Sequence, residues 1–302
     1  MIFCIFSFNR GSFLKHCVQT VEFCVEQPQI VVFDDNSFDT DTIAALDEIG
    51  QRHEVVSLDT KSTHKLGGLY GNMQIALERF PDAPSLCFIQ DDMQLTRTVE
   101  DSEITEIEAS FVQNQKLGFI HPCFVKGSAK NKYKASLDYR DDEGLYYRKG
   151  SGQSAGNYFS AVTILSPKKL HDIDWVFDRS EPANDAQASK TFDNLAQLRN
   201  PFAMWLPEVP TYRGKKKTLA LKIAERVRNV GFYPFKIMSE SEKNSLLNRA
   251  AEDLPIAENF LEVEHPESNS LIKPWEYYPL QNRSWLKKLN NLELGLHKIL
   301  PK

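Results

Sequence analysis

Two places in the chain join a short apolar run to a pair of aspartates. Ile30-Val31-Val32-Phe33 leads into Asp34-Asp35-Asn36-Ser37, and Leu86-Cys87-Phe88-Ile89 leads into Gln90-Asp91-Asp92-Met93. Four carboxylates converging on one crevice repel one another unless a cation or a donor-rich ligand offsets their charge. A hard divalent cation takes oxygen ligands, and one or two carboxylates completed by substrate phosphates is a usual way to hold Mg²⁺ or Mn²⁺. Such an ion acts as a Lewis acid on a departing group. Asp91 and Asp92 are therefore candidate ligands. The plainer reading is a turn pair, since aspartate is common wherever a strand ends. Asp34 and Asp35 suit a second task, because a strand-end carboxylate can accept hydrogen bonds from a base imino group or from ribose hydroxyls. Phe8, in the first loop, offers an aromatic face for a base, although a lone loop phenylalanine is more often core.

A third acidic group, Asp185, lies in Glu181-Pro182-Ala183-Asn184-Asp185-Ala186. Within reach of an acceptor hydroxyl it has the chemistry of a general base. It reads equally well as the N-cap of a following helix, and Glu181 competes for the role. His121 and His171 have no spacing partner and no serine nucleophile motif nearby, so both read as core or surface histidines.

The elements that must position these groups alternate in type. Residues 2–6 read as a first strand, and Phe13, Leu14, Cys17, Val21 and Cys24 recur at helical spacing after it. A strand is expected at 30–33, a helix carrying Ile43, Leu46 and Ile49, a strand at 55–58, a helix carrying Tyr70, Met73, Leu77 and Phe80, and a strand at 86–89. Apolar runs bounded by polar residues indicate strands buried on both faces, which belong to parallel sheets covered by helices. In such open sheets ligands bind outside the carboxyl ends of the strands, where both acid pairs fall. Beyond residue 100 the pattern predicts a helix over 103–115 and a strand over 117–121. A polar excursion without periodicity follows over 126–156, then a strand at 160–165, a helix over 168–173 and a helical stretch over 191–198. No GxGxxG follows the first strand and there is no P-loop, which lowers a dinucleotide or triphosphate reading.

Composition narrows the class. The 302 residues, 41% hydrophobic and 25% charged, are enough to bury a sizeable core. No apolar stretch is long enough to span a bilayer, and the N-terminal run lacks the basic region and cleavage site of a signal peptide. Five cysteines without a CxxC pair read as free thiols in a reducing compartment, so a cytoplasmic location is expected. The net charge of −5 conceals an asymmetry: residues 213–236 carry +7, leaving −12 for the remainder. That split excludes a general nucleic-acid binder and points to phosphates or an anionic membrane surface at the inner face. Two amphipathic stripes follow, Leu219, Ile223, Val227 and Val230, then Trp285, Leu289, Leu292, Leu296 and Ile299. Packing on the body of the protein is the favoured reading of both, with membrane contact as the alternative.

Taken in order, Ser7-Phe8-Asn9-Arg10, Phe33-Asp34-Asp35-Asn36-Ser37, Gly67-Gly68 with Asn72, and Gln90-Asp91-Asp92 resemble the successive motifs of family 2 glycosyltransferases of the GT-A fold. The resemblance covers residues 2 to about 213. It implies a nucleotide-diphospho-sugar transferase: a Rossmann-like, mostly parallel α/β sheet with helices on both faces in residues 1–213. A basic, amphipathic, helical extension would follow over 214–302. The implied nucleotide contacts are Phe6, Phe8, Asp34, Asp35, Asn72, Asp91 and Arg213, with Asp92 on a Mn²⁺ or Mg²⁺ ion and Asp185 as the base. Gln90 departs from the family's first DxD acid and Asn184 from the usual glutamate before the base. The implied reaction is inverting transfer of a sugar, from a nucleoside-diphosphate donor with uridine favoured, to a hydroxyl of a glycan or glycolipid in cell-surface polysaccharide synthesis. A sugar-1-phosphate nucleotidyltransferase and a non-catalytic nucleotide-sugar-binding scaffold are the alternatives, and a homo-oligomer is left open.

Overall fold

Residues 1–57, 68–150, 156–211, 217–264 and 271–299 are described by the computed structural model. The chain forms β1 (Ile2–Ser7), α1 (Gly11–Cys24), β2 (Gln29–Asp34), α2 (Thr40–Ile49), β3 (Glu54–Ser57), α3 (Leu69–Arg79) and β4 (Leu86–Gln90). It continues through β5 (Met93–Leu95), α4 (Asp101–Gln113), β6 (Phe119–His121), α5 (Lys130–Ser136), β7 (Leu137–Arg140) and β8 (Leu145–Arg148). Then come β9 (Thr163–Leu165), α6 (Pro167–His171), α7 (Glu181–Ala188), β10 (Ala196–Leu198) and β11 (Ala203–Trp205). The tail holds α8 (Leu219–Arg228), α9 (Glu240–Leu247), α10 (Ala257–Phe260) and α11 (Ser284–Ile299).

Among the described residues nine strands form one sheet, in the order β3-β2-β1-β4-β9-β6-β10-β8-β7. The pairs β3-β2, β2-β1, β1-β4 and β6-β10 are parallel, and β9 and β8 run against their neighbours. Side chains alternate across each strand, so β1 sends Phe3 and Ile5 to one face and Ile2, Cys4 and Phe6 to the other. The first face is covered by α1, α2 and α4, and the second by α3, α6 and α7. This is the Rossmann-like, mostly parallel sheet with helices on both faces implied by the GT-A resemblance. All five cysteines are free and buried. Among the described residues no helix is long and apolar enough to cross a membrane.

Three expectations change. The excursion over 126–156 carries α5 and the β7–β8 hairpin, which extends the sheet at its far edge. Residues 196–198 form β10 between β6 and β8, although Phe192 and Leu195 have helical spacing. The helix of that region comes earlier as α7, and Ser180 rather than Asp185 caps it, accepting from the Ala183 amide. The tail is also less separate than its composition suggests. Tyr233, Phe235, Met238, Leu246, Leu261 and Trp275 belong to the same buried cluster as Phe3 and Ile5.

Candidate active site

β1, β2 and β4 end level, because Ser7 pairs with Asp34 and Phe6 with Gln90 in parallel register. Two further amides extend the ladder: Asp35 donates to the Ser7 carbonyl and Asp91 to the Phe6 carbonyl, each at 3.0 Å. The loops after the three strands therefore open on one edge of the sheet, and both acid pairs meet there.

Asp91 is buried. Its Oδ2 accepts the Phe8 amide at 3.0 Å and its Oδ1 the Arg10 guanidinium at 3.3 Å. Burial raises its pKa, Arg10 opposes that shift, and the Asp92 charge adds to it. Arg10 also pairs with Asp92 Oδ2, and its other Nη donates to the Pro210 carbonyl at 3.4 Å. Asp92 Oδ1 is buried and has no hydrogen-bond partner among the described residues. An orphaned carboxylate oxygen is costly unless something fills its lone pairs, and a cation does so. No cluster of three or more potential protein ligands occurs among the described residues. Asp91 and Asp92 thus fit an ion that takes its remaining ligands from phosphates.

The other acid pair divides. Asp34 is 2% exposed and spends both oxygens within its own loop, on the Ser37 hydroxyl at 2.6 Å and the Ser37 amide at 2.7 Å. It acts as a loop clamp where a nucleotide contact was expected. Asp35 is half-buried and accepts the Gly68 amide at 2.9 Å. Gly68 has φ +82°, a left-handed conformation that glycine adopts without strain as α3 begins. Asn72, one turn into α3, is buried with its Oδ1 unpartnered among the described residues. The Phe8 ring is half-buried and stands edge-on to the exposed Phe38, with centroids 6.2 Å apart. Phe6 is corrected: it packs in the sheet core against Phe88 (5.1 Å) and Phe33 (5.7 Å). Arg213 lies outside the described residues, as does Gly67.

Asp185 is 3% exposed, and its Oδ1 accepts three backbone amides: Gly156 (3.0 Å), Tyr158 (2.8 Å) and Phe159 (3.0 Å). That is the geometry of an anchor for the loop entering β9. Glu181, in the first turn of α7, is half-buried. Burial raises its pKa, the Arg148 charge pulls it down, and Asp185 raises it again.

One group was not foreseen. The Lys126 ammonium stands 3.9 Å from the centre of the Trp205 ring and 4.7 Å from that of Tyr277. Burial lowers its pKa, while Cys123, Asp92 and Glu181 are near enough for their charges to raise it. Trp205 is set there by β11, which pairs it with Met93 directly after the aspartates. Glu258 fixes the other wall, accepting the Gly127 amide at 2.8 Å and the Trp275 amide at 3.0 Å. The buried Tyr277 hydroxyl has no partner among the described residues. No local signal marks this cage, because its three members come from distant segments. His121 packs beside Trp205, donates from Nδ1–H to the Val162 carbonyl at 2.8 Å, and is held neutral by burial, its pKa pushed down to about 3.

No protein-family model and no curated protein sequence matches the chain. Solved structures similar in shape include the following three. Staphylococcus aureus TarS 1–349 in complex with UDP shares 15% identity at a TM-score of 0.43, over 82% of this chain and 70% of that one. The mannosyltransferase PcManGT from Pyrobaculum calidifontis, in complex with GDP-Man and Mn²⁺, shares 10% at 0.45, over 100% and 75%. Glucosyl-3-phosphoglycerate synthase from Mycobacterium tuberculosis, with Mn²⁺ and UDP-glucose, shares 14% at 0.43, over 77% and 82%. At identities this low, the chemistry of the present site is read from its own residues.

Proposed function

We propose that the chain is a metal-dependent glycosyltransferase that moves a sugar from a nucleoside-diphosphate donor, UDP by preference, to a hydroxyl of a glycan or glycolipid with inversion. The observation that carries this reading is the unpartnered Asp92 Oδ1 at the end of β4, beside a caged lysine and a glutamate of raised pKa. The base would lie against Phe8, with Asp35 and Asn72 reading its edge and ribose. Asp91 and Asp92 would hold Mn²⁺ or Mg²⁺, which when bound screens the charge of the departing diphosphate. Lys126 adds a fixed cation at the same place, already desolvated and needing no rearrangement as charge develops. Glu181 would take the acceptor hydroxyl proton while that oxygen attacks the anomeric carbon. The bond to the diphosphate then breaks on the opposite face, and its electron pair leaves with the phosphate. Asp185 supports this step by holding the 156–159 loop. A cell-surface polysaccharide is the product class proposed.

Incubation of the full chain with a panel of nucleotide sugars and Mn²⁺ tests the reading. Release of nucleoside diphosphate, faster with a hydroxyl acceptor, is the expected result. Pyrophosphate made from a nucleoside triphosphate and a sugar phosphate would assign a nucleotidyltransferase instead, and silence across the panel would leave a binding protein.

A further inference from the structure

α8 and α11 pack on each other through Ala220, Leu221 and Ala224 on one helix and Leu286 and Leu289 on the other. The start of α8 meets the later half of α11: Thr218 Oγ donates to Asn290 Oδ1 at 2.7 Å, and Glu293 receives the Leu219 and Ala220 amides at 2.6 and 3.2 Å. The helices therefore run antiparallel. Most of the two apolar stripes marked in the sequence lie outside this contact. Leu219, Ile223 and Val227 are 62%, 36% and 62% exposed, and Trp285, Leu292 and Leu296 are 62%, 66% and 57% exposed.

At 3.6 residues per turn each stripe lies roughly a quarter turn round from its helix's contact face. In an antiparallel pair those two rotations carry both stripes to the same side, giving one apolar face two helices wide. Its flanks are cationic. Lys222 and Arg226 on α8 and Lys288 on α11 are exposed beside it, and no carboxylate pairs with them among the described residues. The other basic groups described in the +7 segment are neutralised: Lys217 by Glu225, Arg228 by Glu208 and Lys236 by Glu262. Of the described basic groups in residues 217–236, the two left without an ion pair, Lys222 and Arg226, both lie on the helix that carries the apolar row.

We propose that this two-helix face lies on an anionic lipid surface, its apolar rows in the headgroup–acyl boundary and its three flanking cations against lipid phosphates. Amphipathic helices with basic flanks bind membranes in this way, and Trp285 is of the type that favours the interface. A second copy of the chain is a poorer occupant, because each face would bring like-charged flanks together. α8 is tied to the rim of the cleft, Glu225 accepting the Thr211 amide at 2.9 Å, so the cleft and the lipid-bound face keep a fixed relation. The proposal does not depend on the chemistry at Asp92.

Flotation of the full chain with vesicles of phosphatidylcholine alone, or mixed with phosphatidylglycerol, tests it at low and high salt. The expected result is binding to the phosphatidylglycerol mixture at low salt, released by high salt. Binding should fall about tenfold or more in a variant carrying Lys222→Glu, Arg226→Glu and Lys288→Glu. A variant carrying Leu219→Ser, Val227→Ser, Leu292→Ser and Leu296→Ser should lose it as well. All seven positions are exposed, and an unchanged melting temperature confirms that each variant folds. No binding by the unaltered chain, or binding unchanged in both variants, would overturn the proposal. Self-association in sedimentation that the serine variant abolishes, without vesicle binding, would also overturn it and make this a face between copies.

Discussion

Lys126 and Glu181 define the proposed chemistry at the residue scale, since burial moves both groups toward neutrality from opposite directions. A base must be ionised, so activity rises with pH through the Glu181 pKa, which stands above the ordinary glutamate value of about 4.3. A phosphate-binding ammonium must be protonated, so activity falls through the Lys126 pKa, which stands below the ordinary lysine value of about 10.4. A bell-shaped profile of kcat/KM is therefore expected, with both limbs drawn inward. Lys126→Arg keeps a charge that does not titrate and should carry the alkaline limb upward. Glu181→Gln should lose roughly 10²–10⁴ of the rate while nucleotide still binds. An alkaline limb that stays in place in the arginine variant removes Lys126 from the mechanism.

At the scale of elements, the 156–159 loop and α7 decide between two acids. Three buried amides converge on Asp185 Oδ1, and Asp185→Ala leaves them all unpartnered. The expected loss of stability is about 3 kcal/mol or more, read as a lower melting temperature. Asp185→Asn retains an acceptor oxygen, so it should cost less and keep far more activity than Glu181→Gln. If the asparagine variant folds fully and is as inactive as Glu181→Gln, the base is Asp185 after all. Elements with local signals were legible in the sequence. The strand-end aspartates stand out because apolar run and polar stop are adjacent, and β1, β2, β4 and α1 to α4 follow from periodicity. The β7–β8 hairpin was not legible, since β7 is an edge strand with only Leu137 buried, and the buried Leu145, Tyr146 and Tyr147 of β8 form a short run in a highly charged stretch, turning at Gly144 with φ +65°. Nor was the Lys126 cage, which forms only once β11 and the segment around Tyr277 have docked. Phe6 shows the converse: the resemblance implied a nucleotide contact, but strand alternation turns it into the core.

For the whole molecule, the buried cluster shared by β1, α1 and residues 233–275 makes residue 213 a poor place to divide the chain. Gln94 locks the two parts together, accepting the Phe235 amide at 2.8 Å and donating to its carbonyl at 2.9 Å. A chain ending at residue 213 would expose the partners of Phe235 and Trp275 and is expected to lose its cooperative thermal transition. A chain ending at residue 283 lacks α11 alone, leaves that cluster whole, and should keep the transition. Independent folding of residues 1–213 would contradict this account and restore a two-domain division. The compositional boundary marked where basic charge begins, and charge on a surface says little about which side chains share a core.

Asp91 and Asp92 are proposed to hold a divalent ion together with a nucleoside diphosphate. Calorimetric titration of UDP into the full chain, with Mn²⁺ and with a chelator, tests it most directly when paired with Asp92→Asn. UDP should bind in Mn²⁺, and the chelator and the substitution should each abolish that binding at an unchanged melting temperature. Equal UDP affinity in Asp92→Asn and the unaltered chain, both in Mn²⁺, would contradict it.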